Sequence, residues 1–241
     1  MNKTWSYPSI VGTLLYLSTN TRINIAMAVS QVACFNHSPR KSHATHVKTI
    51  VRYLHRTANK RTIIIPSGDL SLDCYVSANF AGLCGWDPDR EPSSAKSRTG
   101  YLITLGNATV IWKSQLQTEI SLSTLESEYS ALNTSMHALL LLRALHVEVI
   151  GSLLLPNHIR ASIRSQVFEE NNGALLLANA QRLTNCTKYF RVKEWHVFWS
   201  YVNTGAFQVV KIDTKEQKAD YLTKGLSRKV FERICKLAQG C

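Results

Sequence analysis

The sequence predicts an α/β fold, a mixed five-stranded sheet with flanking helices, preceded by an all-helical N-terminal segment over residues 1–60. Three observations predict it. Apolar residues recur at helical spacing up to residue 57; after Thr62 they fall into short runs rich in β-branched types; and beyond residue 120 helical and strand-like runs alternate.

In the first stretch Ile10, Leu14, Leu15 and Leu17 are expected on one helix face, and Ile25, Met27, Val29, Val32 and Ala33 continue the pattern after Thr21. Ile63-Ile64-Ile65, then Leu70, Leu72, Cys74 and Val76, read as strand, with Pro66-Ser67-Gly68-Asp69 as turn chemistry between them. Residues 86–97, with Pro88 and Pro92 among charges, read as an exposed loop. Tyr101–Leu105 and Thr109–Lys113 form a hairpin about a three-residue connection, Gly106-Asn107-Ala108. Ser123 and Glu126 have capping-box spacing and open a long helix or a helix pair over about residues 124–154. Ser162–Phe168 reads as a strand, Asn171–Ala180 as a short helix, Tyr189–Tyr201 as an aromatic-rich helix and Phe207–Ile212 as the last strand. Thr214 and Gln217 suggest a second capping box before a closing helix marked by Phe231, Ile234 and Leu237.

Lysine and arginine number 28 against 16 acids, a formal net charge of +12, which favours contact with a polyanion. Lys41, Lys48, Arg52, Arg56, Lys60 and Arg61 form a basic stretch that includes one face of a helix, and Lys96 and Arg98 flank the loop; of these Lys48, Arg52, Arg56, Lys60 and Arg98 are the candidates for nucleic-acid contact. A solvated helix face would look the same. The six cysteines have no C-x-x-C spacing and are expected to be reduced thiols of an intracellular protein. The opening Met-Asn-Lys-Thr-Trp lacks an apolar run, so no secretory signal is expected. The richest apolar run, residues 138–155, is interrupted by Arg143, His146 and Glu148 and reads as a buried helix, not a membrane span.

Three acidic spots fall where an open sheet presents ligands: Glu128 in the helix after the hairpin, the pair Glu169-Glu170 at the end of the fourth strand, and Asp220 in the last helical segment. Carboxylates gathered this way could hold two divalent cations for phosphodiester hydrolysis. Structural roles fit the same spacing, since Glu126 suits a capping box, Glu169 and Glu170 a helix N-terminus, and Asp220 a solvated helix.

Successive blocks of the chain resemble the RNase H region of copia-type LTR-retrotransposon Pol polyproteins, in the same order. They are the hairpin SRTGYLITLG and VIWKS, the helix STLESEY, the strand end FEENNGALLLANA, the segment TKYF and the closing QVVKIDTKEQKADYLTKGL. Before them, YPSIVGTLLYLSTNTRINIAMAVSQVA and HATHVKTIVRYLHRT resemble the segment that follows a reverse-transcriptase palm. The resemblance runs from about residue 7 to 240 and implies a helical segment over 1–60 and an RNase H-like domain over 61–241.

That resemblance implies hydrolysis of the RNA strand of an RNA–DNA hybrid by four carboxylates and two Mg²⁺, in a polyprotein that also carries the polymerase. Glu128 matches the helix glutamate and Asp220 the last aspartate. Glu170 takes the strand-end aspartate's place. The first-strand aspartate, in a family pattern like Tyr-Val-Asp-Ala-Asp-Phe-Ala-Gly, falls on Ser77 of Tyr75-Val76-Ser77-Ala78-Asn79-Phe80-Ala81-Gly82. Glu128, Glu170 and Asp220 are thus the expected metal ligands and Ser77 a degenerate fourth position, so Mg²⁺ binding is expected to be weak or lost. Asp73 is about 13 Å from Ser77 along an extended strand, and Asn79, about 7 Å off, is uncharged, so neither replaces the missing anion. Hydrolysis is expected to be lost or very slow, leaving an intracellular chain, cytoplasmic with the nucleus as the alternative, that at most binds nucleic acid; an active ribonuclease H using the three remaining acids is the alternative. Ile23-Asn24 stands where the family has Pro-Asp, a change that concerns helix capping. The segment KYFRVKEWHVFW matches only with a one-residue shift, so His196 is assigned no role.

Overall fold

The structure is a computed structural model and describes residues 5–65, 67, 70–82, 95–153, 164–180 and 199–240. The centre of the expected loop and most of the aromatic segment, with His196, lie outside the described residues.

Three helices open the chain: α1 (Tyr7–Asn20), α2 (Ala26–Ala33) and α3 (Lys41–Arg56). Pro8 sits in the first turn of α1, where its missing N–H is no loss. The buried face of α1 is Tyr7, Val11, Leu14 and Ser18, not the expected Leu14, Leu15 pair; Leu15 is exposed. The Tyr7 hydroxyl donates to the Val32 carbonyl at 2.7 Å and so sets the rotation of the helix. Ile23–Ile25 forms a 3-10 turn into α2, and the Asn24 side chain donates to the Tyr53 hydroxyl rather than capping a helix.

The sheet is built from β1 (Leu72–Asn79), β2 (Arg98–Leu105), β3 (Ala108–Leu116), β4 (Ser165–Glu169) and β5 (Gln208–Lys211), in the order β3-β2-β1-β4-β5. Ile63–Ile65 is not a strand and is exposed: the Ile63 N–H is taken by the Gln239 carbonyl, which draws the run away from the sheet. The hairpin turns on two residues, not three. Gly106 and Asn107 both have positive φ (54° and 67°), and Leu105 already pairs with Ala108, the conformation that matches strand twist.

Helix α4 (Thr124–Ser152) carries the chain from outer strand β3 back to β4, on the far side of β1. Ser123 accepts from the Glu126 N–H, while the Glu126 carboxylate reaches the Leu122 N–H instead of completing a box with Ser123. Asn171 caps α5 (Asn172–Ala178) through the Ala174 N–H. The chain ends in a 3-10 turn, Asp220–Leu222, and α6 (Arg228–Gln239), closed by Gly240 at φ 71°. The expected box at Thr214 and Gln217 does not form, because Gln217 is buried: its amide donates to Val76 O at 2.8 Å and lies 3.4 Å from Phe168 O.

Strand alternation divides the core. Leu72, Cys74, Val76 and Ala78 of β1 pack under α4 and α5 against Tyr129, Leu132, Met136 and Leu177. Tyr75 faces the other way with Leu102, and there Ile23 and Ala26 of the N-terminal helices, the 3-10 turn and Ile234 of α6 cover the sheet. The N-terminal helices have a further core of their own around Val11, Val29 and Val47, and Trp112 of β3 donates to Ser18 O at 2.7 Å. The observed fold is therefore the expected mixed five-stranded sheet with flanking helices and a helical N-terminal segment. Cys34 and Cys74 are free thiols, and no described helix is long and apolar enough to cross a membrane.

Candidate active site

The sheet changes from antiparallel to parallel pairing at β1, so β1 and β4 end side by side at a topological switch, where open α/β sheets place their ligands. The last β1–β4 pair is Tyr75 with Phe168, and the Gln217 amide bridges the backbone just beyond it. Ser77 lies two residues further along β1, on the same face as Tyr75 and opposite Gly100 of β2.

Ser77 is fully buried, and its hydroxyl donates to Asp220 Oδ1 at 3.1 Å with Thr223 Oγ1 at 3.3 Å. The lack of a side chain on Gly100 lets the 3-10 turn descend onto β2 and bring Asp220 to Ser77. Glu128, in the second turn of α4, accepts from the Ala78 N–H at 2.7 Å. Glu170 follows β4 directly, and Lys224 lies 3.9 Å from its Oε1 and 2.9 Å from Asp220 Oδ2. The chain thus brings together Ser77, Glu128, Glu170 and Asp220, the four positions singled out in the sequence. Asn79 turns its amide towards Thr223 O at 3.4 Å, and Asp73 pairs with Thr104 at the opposite end of β1.

Burial pushes the Glu128 carboxyl up to about 8; the Ala78 N–H and Lys224 oppose that rise, and the Glu170 and Asp220 carboxylates add to it. Glu169 is fully buried and lies, by strand alternation, on the α4 side of the sheet. Burial first and Glu128 second hold its carboxyl well above the usual range, although the Asn171 N–H donates to it at 2.8 Å. Sequence spacing placed Glu169 with Glu170 at the end of the fourth strand, either in the acid cluster or as an acid near a helix N-terminus, and the family pattern put the ligand at Glu170. Lys224 was missed altogether; its one signal was the i,i+4 interval from Asp220, which suits an ion pair.

These residues do not fit a two-cation cluster. Asp220 has both carboxylate oxygens engaged by donors of the chain itself, Ser77 on one and Lys224 on the other. At the 77 position a hydroxyl donor stands where an anion is needed. Among the described residues no group of three or more His, Cys, Asp or Glu side chains is arranged to hold a metal ion.

The basic candidates divide. Lys48, Arg52, Arg56 and Lys60 are exposed, with the Lys48 ammonium 5.9 Å above the Trp5 ring. Arg98 corrects its expectation: it is 4% exposed, and its guanidinium donates to Ser30 of α2 and Ser114 of β3, tying the helical segment to the sheet.

The chain is 33% identical over 229 residues, 95% of its length, to the retrovirus-related Pol polyprotein from transposon RE1 of Arabidopsis thaliana. It is also 33% identical over 230 residues, again 95%, to the one from transposon TNT 1-94 of Nicotiana tabacum. The chain belongs to the retrovirus-related Pol polyproteins of copia-type transposons. This Pol segment spans 14% and 16% of the length of those two relatives. Among solved structures, RNase H1 from the archaeon Halobacterium salinarum is similar at 13% identity and a TM-score of 0.39, over 64% of this chain and 94% of that one, too distant to add to the topology. No family model matches the chain.

Proposed function

We propose that this Pol segment is an RNase H-like domain that has lost efficient hydrolysis of RNA–DNA hybrids and retains at most nucleic-acid binding. The observation that carries the reading is Ser77: at the centre of the acid cluster a neutral, fully buried hydroxyl donates to Asp220. A pair of divalent ions needs anionic oxygens there, and their loss weakens binding of both ions. Glu170, a methylene longer than aspartate, adds misplacement where such sites need placement within about 0.5 Å. Binding to a hybrid draws instead on many exposed cations, Lys48, Arg52, Arg56 and Lys60 among them, and a net charge of +12 supports it.

One observation favours the alternative of an active ribonuclease H: Glu128, Glu170 and Asp220 still converge. Incubation with a labelled RNA–DNA hybrid in Mg²⁺ and in Mn²⁺ separates the two readings. No cleavage, with binding that falls steeply as salt rises, supports the proposal. Turnover near one per second, the low end of ordinary enzyme rates, would overturn it.

A further inference from the structure

We propose that Lys224 is the resident cation of this acid cluster, its ammonium occupying Asp220 and Glu170 in place of a divalent ion. The inference deepens the reading of lost hydrolysis and rests on it, adding the Lys224 contacts to those of Ser77. The Lys224 ammonium is 2.9 Å from Asp220 Oδ2 and 3.9 Å from Glu170 Oε1, so it lies between the carboxylates contributed by two different elements. Its position is built into the backbone. Lys224 N–H donates to the Asp220 carbonyl at 3.2 Å and the Thr223 hydroxyl donates to the same carbonyl at 3.0 Å, which holds the lysine one turn beyond the aspartate.

Among the described residues three titratable groups face that ammonium. Asp220 and Glu170 contact it directly, and Glu128 feels it through space. With serine at 77 the cluster has one anion fewer for a second cation to bind. A divalent ion seeking Asp220 would have to strip away both the Ser77 hydroxyl and the Lys224 ammonium, then sit beside a like charge. Ser77→Asp alone therefore restores an anion without vacating the place the metal needs. The stem of Lys224 is partly exposed, so the head group can swing to solvent once its pairing is removed.

The test is Mn²⁺ titration followed by the electron paramagnetic resonance of the free ion, using the unmutated chain, Ser77→Asp, Lys224→Met, Lys224→Arg and Ser77→Asp with Lys224→Met. The unmutated chain, Lys224→Arg and Ser77→Asp are expected to bind Mn²⁺ only weakly. The double variant is expected to bind at least about tenfold more tightly than Ser77→Asp, the factor that removal of about 1.4 kcal/mol of repulsion gives. Equal affinity for Ser77→Asp and the double variant would overturn the proposal. Amine labelling read by mass spectrometry covers a variant that fails to fold, because it uses the unmutated protein. Lys224 should label more slowly than exposed Lys215, and millimolar Mn²⁺ should leave its rate unchanged. A rise to the Lys215 rate on adding Mn²⁺ would mean that the ion displaces the ammonium, and the proposal fails. Hybrid cleavage by the unmutated chain would refute the reading of lost hydrolysis, whereas titration and labelling report on Lys224 itself, so the two failures are distinguishable.

Discussion

Gly100 of β2 and Leu222 of the 3-10 turn approach so closely that a Cβ on the glycine would stand 2.8 Å from the Cβ of the leucine, and 2.6 Å from the methyl of Thr223. Since Gly100 pairs with Ser77, this contact sets how near Asp220 can come to β1. Gly100→Ala should push the turn outwards and cost about 1–3 kcal/mol, as overpacking does. Alanine in an unobstructed strand would instead gain about 0.5–1 kcal/mol over glycine. Urea denaturation therefore decides by sign, and a stabilised variant would mean that the turn is not seated on β2.

Stability should fall as pH rises from about 4.5 to about 8. Glu128 in the folded chain holds its proton up to about 8, against an ordinary value of 4.5, so over that interval the unfolded chain has lost a proton that the folded chain keeps. The linkage slope is then negative, at most about 1.4 kcal/mol per pH unit while one group titrates, and it vanishes above the window. Glu169, raised for the same reason, adds to the slope with the same sign. Glu128→Gln should flatten the profile measured by denaturant melts at successive pH values, and an unchanged profile would remove Glu128 as its source.

Arg98 and Arg52 should respond oppositely to alanine. Arg98→Ala breaks buried links to Ser30 and Ser114 and should cost about 1–3 kcal/mol of stability. Arg52 is exposed on α3, and Arg52→Ala should change stability by less than about 0.5 kcal/mol. If α3 contacts hybrid phosphates, the same change weakens binding and lowers the logarithmic salt slope by about one. Filter binding over a salt series checks this, and an unaltered slope would exclude Arg52 from the interface.

Gln217→Met keeps the side-chain length but removes the donor to Val76 O. The buried carbonyl left without that partner should cost about 1–3 kcal/mol. Hydrogen exchange should quicken at the ends of β1 and β4 ahead of the rest of the sheet. Uniform exchange in both proteins would show that Gln217 does not hold the two strands.

Helical structure over α4, though not whether it was one helix or two, the hairpin and the return through β4 were legible in the sequence because each carries its own period or cap, such as Ser123 and Asn171. Ile63–Ile65 misled because β-branched residues favour strands only where a strand partner exists, and here a helix-terminal carbonyl takes the Ile63 N–H. Gln217 misled for a similar reason: capping-box spacing is local, while its two carbonyl partners come from strands 141 and 49 residues away in sequence. At the site, Ser77, Glu128, Glu170 and Asp220 were each identified from motif order. Lys224 was not, since a lysine four residues after an aspartate is ordinary surface chemistry until tertiary packing adds Glu170 to the pair.

Ile23 and Ala26 insert into the outer face of the sheet, and Trp112 reaches back to Ser18. Excising the first sixty residues would lay bare an oily footprint over Leu102, Tyr221 and Leu222, directly behind the turn that presents Asp220. A trimmed version made to study the sheet half by itself would thus be sticky, and its acid cluster would sit on an unsupported wall.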